Sequence, residues 1–363
     1  MRIFVVIGTR PEAIKMLPLV IELRKYSEFE TQICFSGQHD EIAKSVFDEY
    51  KIIPDFKFNA MEKGGELSIL TMKLLEYFDI IFKEERPDLV LVHGDTTTAF
   101  CASLSAFYLG IKVAHVEAGL RTFDCFSPFP EEFNRVSIDA LSTIHFAPTE
   151  SAAQNLIKEG KKSVFTTGNT VIDALKYSLS EEILLPILDK VEDRKILLIT
   201  THRRENLGAK MQTSLLGIRD ILEEYENLFA ILPLHPNPRV REIVSDVFEN
   251  IKNIKICEPL PMREFHHLLA RSFAVFSDSG GIQEEIAYLG IPLFLLRDKT
   301  ERVECLELPN VQIVGCDREA IRKKFFALIN NEKQIDLMRK QSLIFGDGHA
   351  SERIVRHLLK LTT

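Results

Sequence analysis

The sequence carries no Cys-x-x-Cys pair, no His-x-x-x-His spacing and no apolar run close to the length of a membrane span. Its six cysteines (34, 101, 125, 257, 305 and 316) are scattered, which reads as buried thiols of a cytoplasmic protein and not as a disulfide frame. His266 and His267 are adjacent and so face different ways, which leaves no metal-ligand set. The most apolar runs, Ile3–Ile7, Leu89–Val92 and Ile196–Ile199, fall far short of the roughly 20 residues a span needs, so no membrane partner is expected. An excess of positive charge is missing too. Lys and Arg number 45 against 53 Asp and Glu, a net charge of −8, which argues against a nucleic-acid partner. No Gly-x-Gly-x-x-Gly follows a strand pattern and no Gly-x-Ser-x-Gly elbow occurs, so neither a tightly held nicotinamide nor that kind of serine nucleophile is indicated. The opening Met-Arg-Ile-Phe-Val-Val-Ile-Gly has no small-residue cleavage site, so no leader is expected.

What is present is an alternation of short β-branched runs and helical stretches. Hydrophobic residues at 45% and charged residues at 27% are those of a globular chain. Strands are expected at Ile3–Ile7, Thr31–Phe35, Leu89–Val92, Lys112–Val116, Thr143–Phe146 and Ser163–Thr166, with helical spacing over Pro11–Lys25, Leu67–Glu85 and Thr98–Leu109. The rhythm restarts with Ile196–Thr200, Leu228–Leu232, Ile254–Cys257, Phe273–Ser277 and Leu293–Leu296, spaced by helical stretches such as Met211–Tyr225 and Arg263–Ala270. Apolar runs without alternation suit strands covered on both faces, so the fold class is α/β with two doubly wound parallel sheets. The break is placed at about residue 170, ahead of the acidic, strand-free stretch Lys176–Arg194. A terminal helix is expected over Ser351–Leu361.

Ligands of open α/β sheets bind beyond the carboxyl ends of the strands, so the residues just after each strand matter most. The first strand is followed by Gly8-Thr9-Arg10-Pro11-Glu12, a tight turn into a helix whose free N–H groups, with Arg10 and Lys15, suit an anion. His93-Gly94-Asp95-Thr96 follows another strand, and Asp95 reads either as a helix cap or as a site carboxylate. In His115-Val116-Glu117-Ala118-Gly119-Leu120-Arg121, a carboxylate at a buried strand end is costly unless paired or used, and Arg121 is the structural candidate for its partner. Pro130-Glu131-Glu132 opens a helix, with Arg135 spaced to pair with Glu131. In the second half His202-Arg203-Arg204 ends a strand, and Leu234-His235-Pro236-Asn237-Pro238 is a proline-locked loop. Asp278-Ser279-Gly280-Gly281 joins a strand to a helix, where paired glycines weaken the helix but let N–H groups approach a pyrophosphate.

Taken together and in this order, these motifs, with Gly168-Asn169-Thr170-Val171-Ile172-Asp173 and Gln283-Glu284-Glu285, closely resemble the non-hydrolysing UDP-N-acetylglucosamine 2-epimerases of bacteria, from residue 2 to about Gly348. The resemblance implies two Rossmann-like domains facing across a cleft in the GT-B arrangement. Residues 1–170 would carry the catalytic carboxylates and 171–348 would bind UDP, with a helix at about 349–363 crossing back to the first domain. It also implies a homodimer, a UDP-sugar substrate, no cofactor, and a product that feeds surface polysaccharide synthesis.

The same resemblance assigns roles. Asp95, Glu117 and Glu131 match the family's catalytic acids and His202 its active-site histidine. Arg10, Lys15, Arg135, Ser279, Gly280 and Gly281 would hold the substrate and its diphosphate, Glu285 the ribose, and Phe265 would line the uracil pocket. Gln38 and His235 match an activator site that takes a second UDP-N-acetylglucosamine, although Asp40 stands where a basic residue often follows the Gln-His pair. The nearest alternative is a hydrolysing epimerase that releases N-acetylmannosamine and UDP.

Overall fold

The computed structural model describes residues 1–37, 40–60, 66–189, 191–203, 206–298 and 302–362. The chain divides into two compact units, Met1–Tyr177 with Phe345–Thr363, and Ser178–Ile344. The first runs β1 (Arg2–Ile7), α1 (Arg10–Leu23), β2 (Glu30–Phe35), α2 (Asp40–Tyr50), β3 (Phe56–Lys57), α3 (Leu67–Glu85), β4 (Leu89–His93), α4 (Thr97–Tyr108), β5 (Lys112–Val116), α5 (Glu131–Leu141), β6 (Ile144–Ala147), α6 (Glu150–Lys158), β7 (Val164–Thr166) and α7 (Thr170–Ser178). The second runs β8 (Lys195–Thr200), α8 (Ala209–Glu224), β9 (Leu228–Pro233), α9 (Pro238–Val247), β10 (Ile254–Cys257), α10 (Met262–Ala270), β11 (Ala274–Ser277), α11 (Gly280–Leu289), β12 (Leu293–Leu295), β13 (Val311–Ile313), α12 (Arg318–Ile329) and α13 (Glu332–Met338), before α14 (Ala350–Leu359) ends the chain in the first unit.

Every strand pairing is parallel, and the orders are β3-β2-β1-β4-β5-β6-β7 and β10-β9-β8-β11-β12-β13. Both place a topological switch point beside the first strand, between β1 and β4 and between β8 and β11, where such sheets open a crevice at their carboxyl ends. The unbroken apolar runs have a direct cause. In β8, Leu197 and Ile199 face one core with α8 and α12, while Ile196 and Leu198 face another with α10 and α11. Each face needs apolar cover, so alternation disappears. At roughly 1.5–3 kcal/mol per buried aliphatic side chain, two-sided burial makes these central strands the most stabilised parts of the unit.

Two strands, β3 and β13, have no counterpart among the expected apolar runs. β3 has two residues and β13 three, too short to register as apolar runs, and both sit at sheet edges. The first unit extends past the expected break at residue 170 to Tyr177, and the chain returns to it at Phe345, ahead of the expected 349. Part of the reason is local: the Asn169 amide donates to the Phe345 carbonyl at 2.7 Å, with Gly168 packed on Gly346. No helix among the described residues is long and apolar enough to cross a membrane.

The terminal helix α14 packs on α1 and is capped from a distance. Its own cap residue, His349, makes no side-chain capping bond to the first-turn amides. Instead Asp173 of α7 accepts from the amides of Ala350 at 3.1 Å and Ser351 at 2.8 Å. Asp173→Ala should therefore cost about 1–2 kcal/mol and speed amide exchange in α14 ahead of the sheet, read by hydrogen-exchange mass spectrometry; unchanged protection of 350–359 would contradict this capping role.

Candidate active site

The turn after β1 is built for close approach. A Cβ on Gly8 would stand 2.3 Å from Thr98 Oγ1, so only glycine admits the start of α4 here. Thr9 caps α1 and Glu12 closes the capping box. Glu12 is 2% exposed and accepts from the amides of Gly8 (3.0 Å) and Thr9 (2.7 Å), from Thr9 Oγ1 (2.8 Å) and from Thr96 Oγ1 (2.7 Å). It thereby joins the turn after β1 to the turn after β4. Burial pushes its carboxyl up to about 7, although the hydroxyl and amide donors favour the ionised form. Arg10 is half-buried at the start of α1, and Lys15, in the next turn, is buried.

The carboxylates of interest follow neighbouring strands. β4 and β5 pair with His93 opposite Val116, so Asp95 and Glu117 leave adjacent strand ends. A Cβ on Gly94 would lie 3.7 Å from Glu117 Oε1, which shows how near the second carboxylate comes to the first turn. Asp95 is not the cap of α4. Thr96 is, accepting from the Ala99 amide at 3.0 Å, and this frees the Asp95 carboxylate to take the Arg135 guanidinium. Asn134 adds a bond from its amide to the Asp95 carbonyl at 2.9 Å.

Glu117 sits at φ 63°, a left-handed conformation that costs a non-glycine residue roughly 1–2 kcal/mol and is retained only where surroundings enforce it. Here Lys15 forms a buried ion pair with its Oε2, Asn169 donates to the same oxygen at 2.8 Å, and His93 Nε2 lies 3.6 Å away. Arg121, the partner suggested by spacing, turns instead to Asp139 and Glu159. Glu131 opens α5, half-buried and without a hydrogen bond to a described residue; the spaced partner Arg135 goes to Asp95 and Glu132. Because Arg135 is one turn along α5, its grip on Asp95 brings Glu131 to the same end of the sheet. Two of the three carboxylates thus carry a fixed counter-charge, which limits their mutual repulsion.

The second unit repeats the plan. His202 follows β8, His235 follows β9 and Ser279 follows β11, three adjacent strands. Asp278, fully buried, accepts from the amides of His202 (3.1 Å) and Arg203 (3.1 Å), from Thr201 Oγ1 (3.1 Å) and from Asn206 (3.2 Å), and its Oδ1 lies 3.2 Å from His202 Nδ1. Burial alone would raise the Asp278 carboxyl, but the His202 ring and these amides hold it below the usual range. With Nδ1 turned to Asp278, the half-exposed His202 ring offers Nε2 outward, and the His235 ring stacks on it at 5.9 Å. Burial and the neighbouring His202 lower the His235 imidazole, which favours its neutral form.

Ser279 is the cap residue of α11, with Gly280 and Gly281 as its first helical residues. Ser279 does not cap with its side chain, and among the described residues nothing lies within 4 Å of where a Gly281 Cβ would stand, which leaves room beside the first turn of α11. Further along α11, Glu285 is nearly buried, its Oε1 3.4 Å from His266 Nε2, and Phe265 is half-buried against the apolar core of this unit. Gln38 and Arg204 lie outside the described residues.

A family model described as UDP-N-acetylglucosamine 2-epimerase matches residues 21–359. A UDP-N-acetylglucosamine 2-epimerase of Bacillus subtilis (strain 168) is 45% identical over 361 residues, spanning 99% of this chain and 95% of that protein. This chain belongs to the UDP-N-acetylglucosamine 2-epimerase family. Its members are epimerases, and this chain is an isomerase of that kind. Among solved structures, the UDP-GlcNAc 2-epimerase from Neisseria meningitidis bound to UDP-GlcNAc matches with TM-score 0.93 at 40% identity, covering 99% of this chain and 100% of that one. The enzyme from Methanocaldococcus jannaschii in complex with UDP-GlcNAc and UDP matches with TM-score 0.85 at 35% identity, again over 99% and 100%.

Sequence reasoning did not single out Glu12, His115, Asp139 or Asp278 as site residues. Asp278 had a signal, an acid at a strand end beside Ser-Gly-Gly; Asp139, in mid-helix, had none. The Glu12 environment makes a testable demand. A carboxyl held near 7 in the folded state binds its proton more tightly than in the unfolded chain, so its contribution is complete below about pH 4.5 and is lost as pH rises through 7. Wild-type stability should fall by up to about 3 kcal/mol from pH 5 to 8 through this group, and Glu12→Gln should flatten that slope in urea titrations. An unchanged slope would show that Glu12 does not titrate there.

Proposed function

We propose that this enzyme is a non-hydrolysing UDP-N-acetylglucosamine 2-epimerase that interconverts UDP-N-acetylglucosamine and UDP-N-acetylmannosamine. The carrying observation is the trio of carboxylates Asp95, Glu117 and Glu131 at one end of the first sheet, two of them charge-paired by Arg135 and Lys15. The C2 hydrogen of the sugar has no adjacent carbonyl, so its removal needs help from C1. Breaking the C1–O bond to UDP builds oxocarbenium character that acidifies C2–H; a carboxylate takes the proton and UDP departs with the bonding pair, leaving 2-acetamidoglucal. Re-addition of UDP with a proton delivered to the opposite face of C2 gives the epimer. The route calls for acid/base groups on two faces, which three carboxylates supply, and for donors to the diphosphate as its charge grows.

The second unit offers those donors. The open N-terminus of α11 at Ser279, Gly280 and Gly281 suits a diphosphate, as does His202 Nε2 set outward by Asp278. Arg10 at the start of α1 adds a cation, Glu285 is assigned to the ribose and Phe265 to the uracil. UDP-GlcNAc and UDP in the related solved structures support this substrate class. A firm hold on UDP favours the non-hydrolysing course, because the leaving group must stay to return. We further propose a cytoplasmic homodimer whose product supplies surface polysaccharide synthesis.

The test is an incubation with UDP-N-acetylglucosamine in heavy water followed by NMR at C2. Deuterium at C2 of a manno product still joined to UDP is expected; retained C2 hydrogen, or free N-acetylmannosamine as the main product, would overturn the assignment. Asp95→Asn, Glu117→Gln and Glu131→Gln should each lower turnover by orders of magnitude with the fold intact, seen by circular dichroism. The activator role proposed for Gln38 and His235 predicts a sigmoidal dependence of rate on UDP-N-acetylglucosamine that His235→Ala makes hyperbolic; a hyperbolic wild-type curve removes it.

A further inference from the structure

Asp139 is fully buried and lies two turns beyond Glu131 and one beyond Arg135, on the same face of α5. Its Oδ1 meets His115 Nδ1 at 2.6 Å, and the other nitrogen of that ring, Nε2, meets the carbonyl of Gly94 at 2.7 Å. Its Oδ2 accepts from Arg121 at 2.8 Å and from the Gly119 amide at 3.3 Å. Arg121 is itself clamped by both oxygens of Glu159 at 2.7 Å. Burial would raise the Asp139 carboxyl, but His115 and Arg121 outweigh it and hold the group at about 2, so it is a carboxylate throughout the working range.

The two backbone points held by this carboxylate are informative. Gly94, at φ 64°, immediately precedes Asp95; its amide donates to the Val116 carbonyl at 3.0 Å while its carbonyl takes the His115 bond. Gly119, at φ 87°, follows Glu117 by two residues, and a Cβ there would stand 2.3 Å from the Ala152 carbonyl. One side chain thus ties the turn bearing Asp95, through His115, and the turn bearing Glu117, directly, to the helix that bears Glu131. Packing alone does not call for a buried His-Asp-Arg chain, since apolar residues of similar volume fill such a space at no desolvation cost.

We propose that Asp139 and His115 form a positioning pair for the epimerisation, fixing Asp95, Glu117 and Glu131 at the separation that proton removal on one face of C2 and delivery on the other require. The inference rests on the reading that these carboxylates handle the C2 proton. It has a chemical consequence beyond lost rate. Between the two halves of the reaction the sugar is 2-acetamidoglucal, its C1=C2 bond made from the former C2–H pair, with UDP carrying the C1–O pair. If the second-face donor is displaced by about 1 Å, re-protonation slows about 100-fold and the intermediate escapes together with UDP.

The experiment compares wild type, His115→Gln, Asp139→Asn and, as a reference for the underlying reading, Asp95→Asn. For the first two variants kcat should fall about 10- to 100-fold while KM and UDP affinity stay near wild type. Free UDP plus 2-acetamidoglucal per epimerised molecule should rise about tenfold or more, a gain that mere loss of folded protein cannot produce. Asp139→Glu, which keeps the charge, should recover part of kcat. Folded variants with wild-type kcat and no released glycal would overturn the proposal. If Asp139→Asn does not fold, Asp139→Glu is tested in its place, and if neither folds the pair is a folding element and the proposal falls. Wild-type turnover by Asp95→Asn would instead remove the catalytic reading itself; low turnover there beside unaffected His115 and Asp139 variants would remove only the positioning role.

Discussion

Charge buried at the end of a sheet has to be neutralised by another charge that the fold brings to the same place, and the first unit is organised around that constraint. Glu117 is retained in a left-handed conformation by Lys15, which reaches it from the helix after β1, and by Asn169 from the segment after β7. Asp95 is retained by Arg135 from α5. Each pair joins segments far apart in the chain, so the carboxylates exist in this arrangement only when the whole sheet has formed.

The second unit meets the same constraint with the opposite emphasis. Asp278 is buried, but its partners are two backbone amides, a hydroxyl and an Asn side chain of the segment after β8 together with the His202 ring, so its charge is spent on shaping that turn and orienting His202. The result is a His202 ring whose Nε2 faces away from Asp278, beside a helix α11 whose start Ser279 leaves without a side-chain cap.

Much of the frame was legible from the residues. Eleven strands were read as apolar runs because two-sided burial leaves no polar position in a central strand. The edge strands β3 and β13 escaped because they are short and half-exposed. Glu117 stands out by itself because a carboxylate at a buried strand end is costly unless paired or used, whereas Asp95 and Glu131 have ordinary readings as a helix cap and a helix-start acid and are reached only through the family resemblance. Their partners were assigned by nearness in sequence, and those assignments failed: Thr96 and not Asp95 caps α4, and Arg121 and Arg135 go elsewhere than Glu117 and Glu131.

The reason for that division is the range over which each force acts. Apolar periodicity, glycine and proline placement and strand-end carboxylates are properties of a few neighbouring residues, so the α/β class, the two sheets and the family's motifs could be read along the chain. Ion pairs and hydrogen bonds join whichever groups the packed strands and helices bring within about 3 Å, whatever their separation in sequence. Lys15 with Glu117, Glu12 with Thr96 and Asp139 with His115 are choices of that kind. They were settled only once β1, β4 and β5 lay side by side, because that is what makes distant residues neighbours.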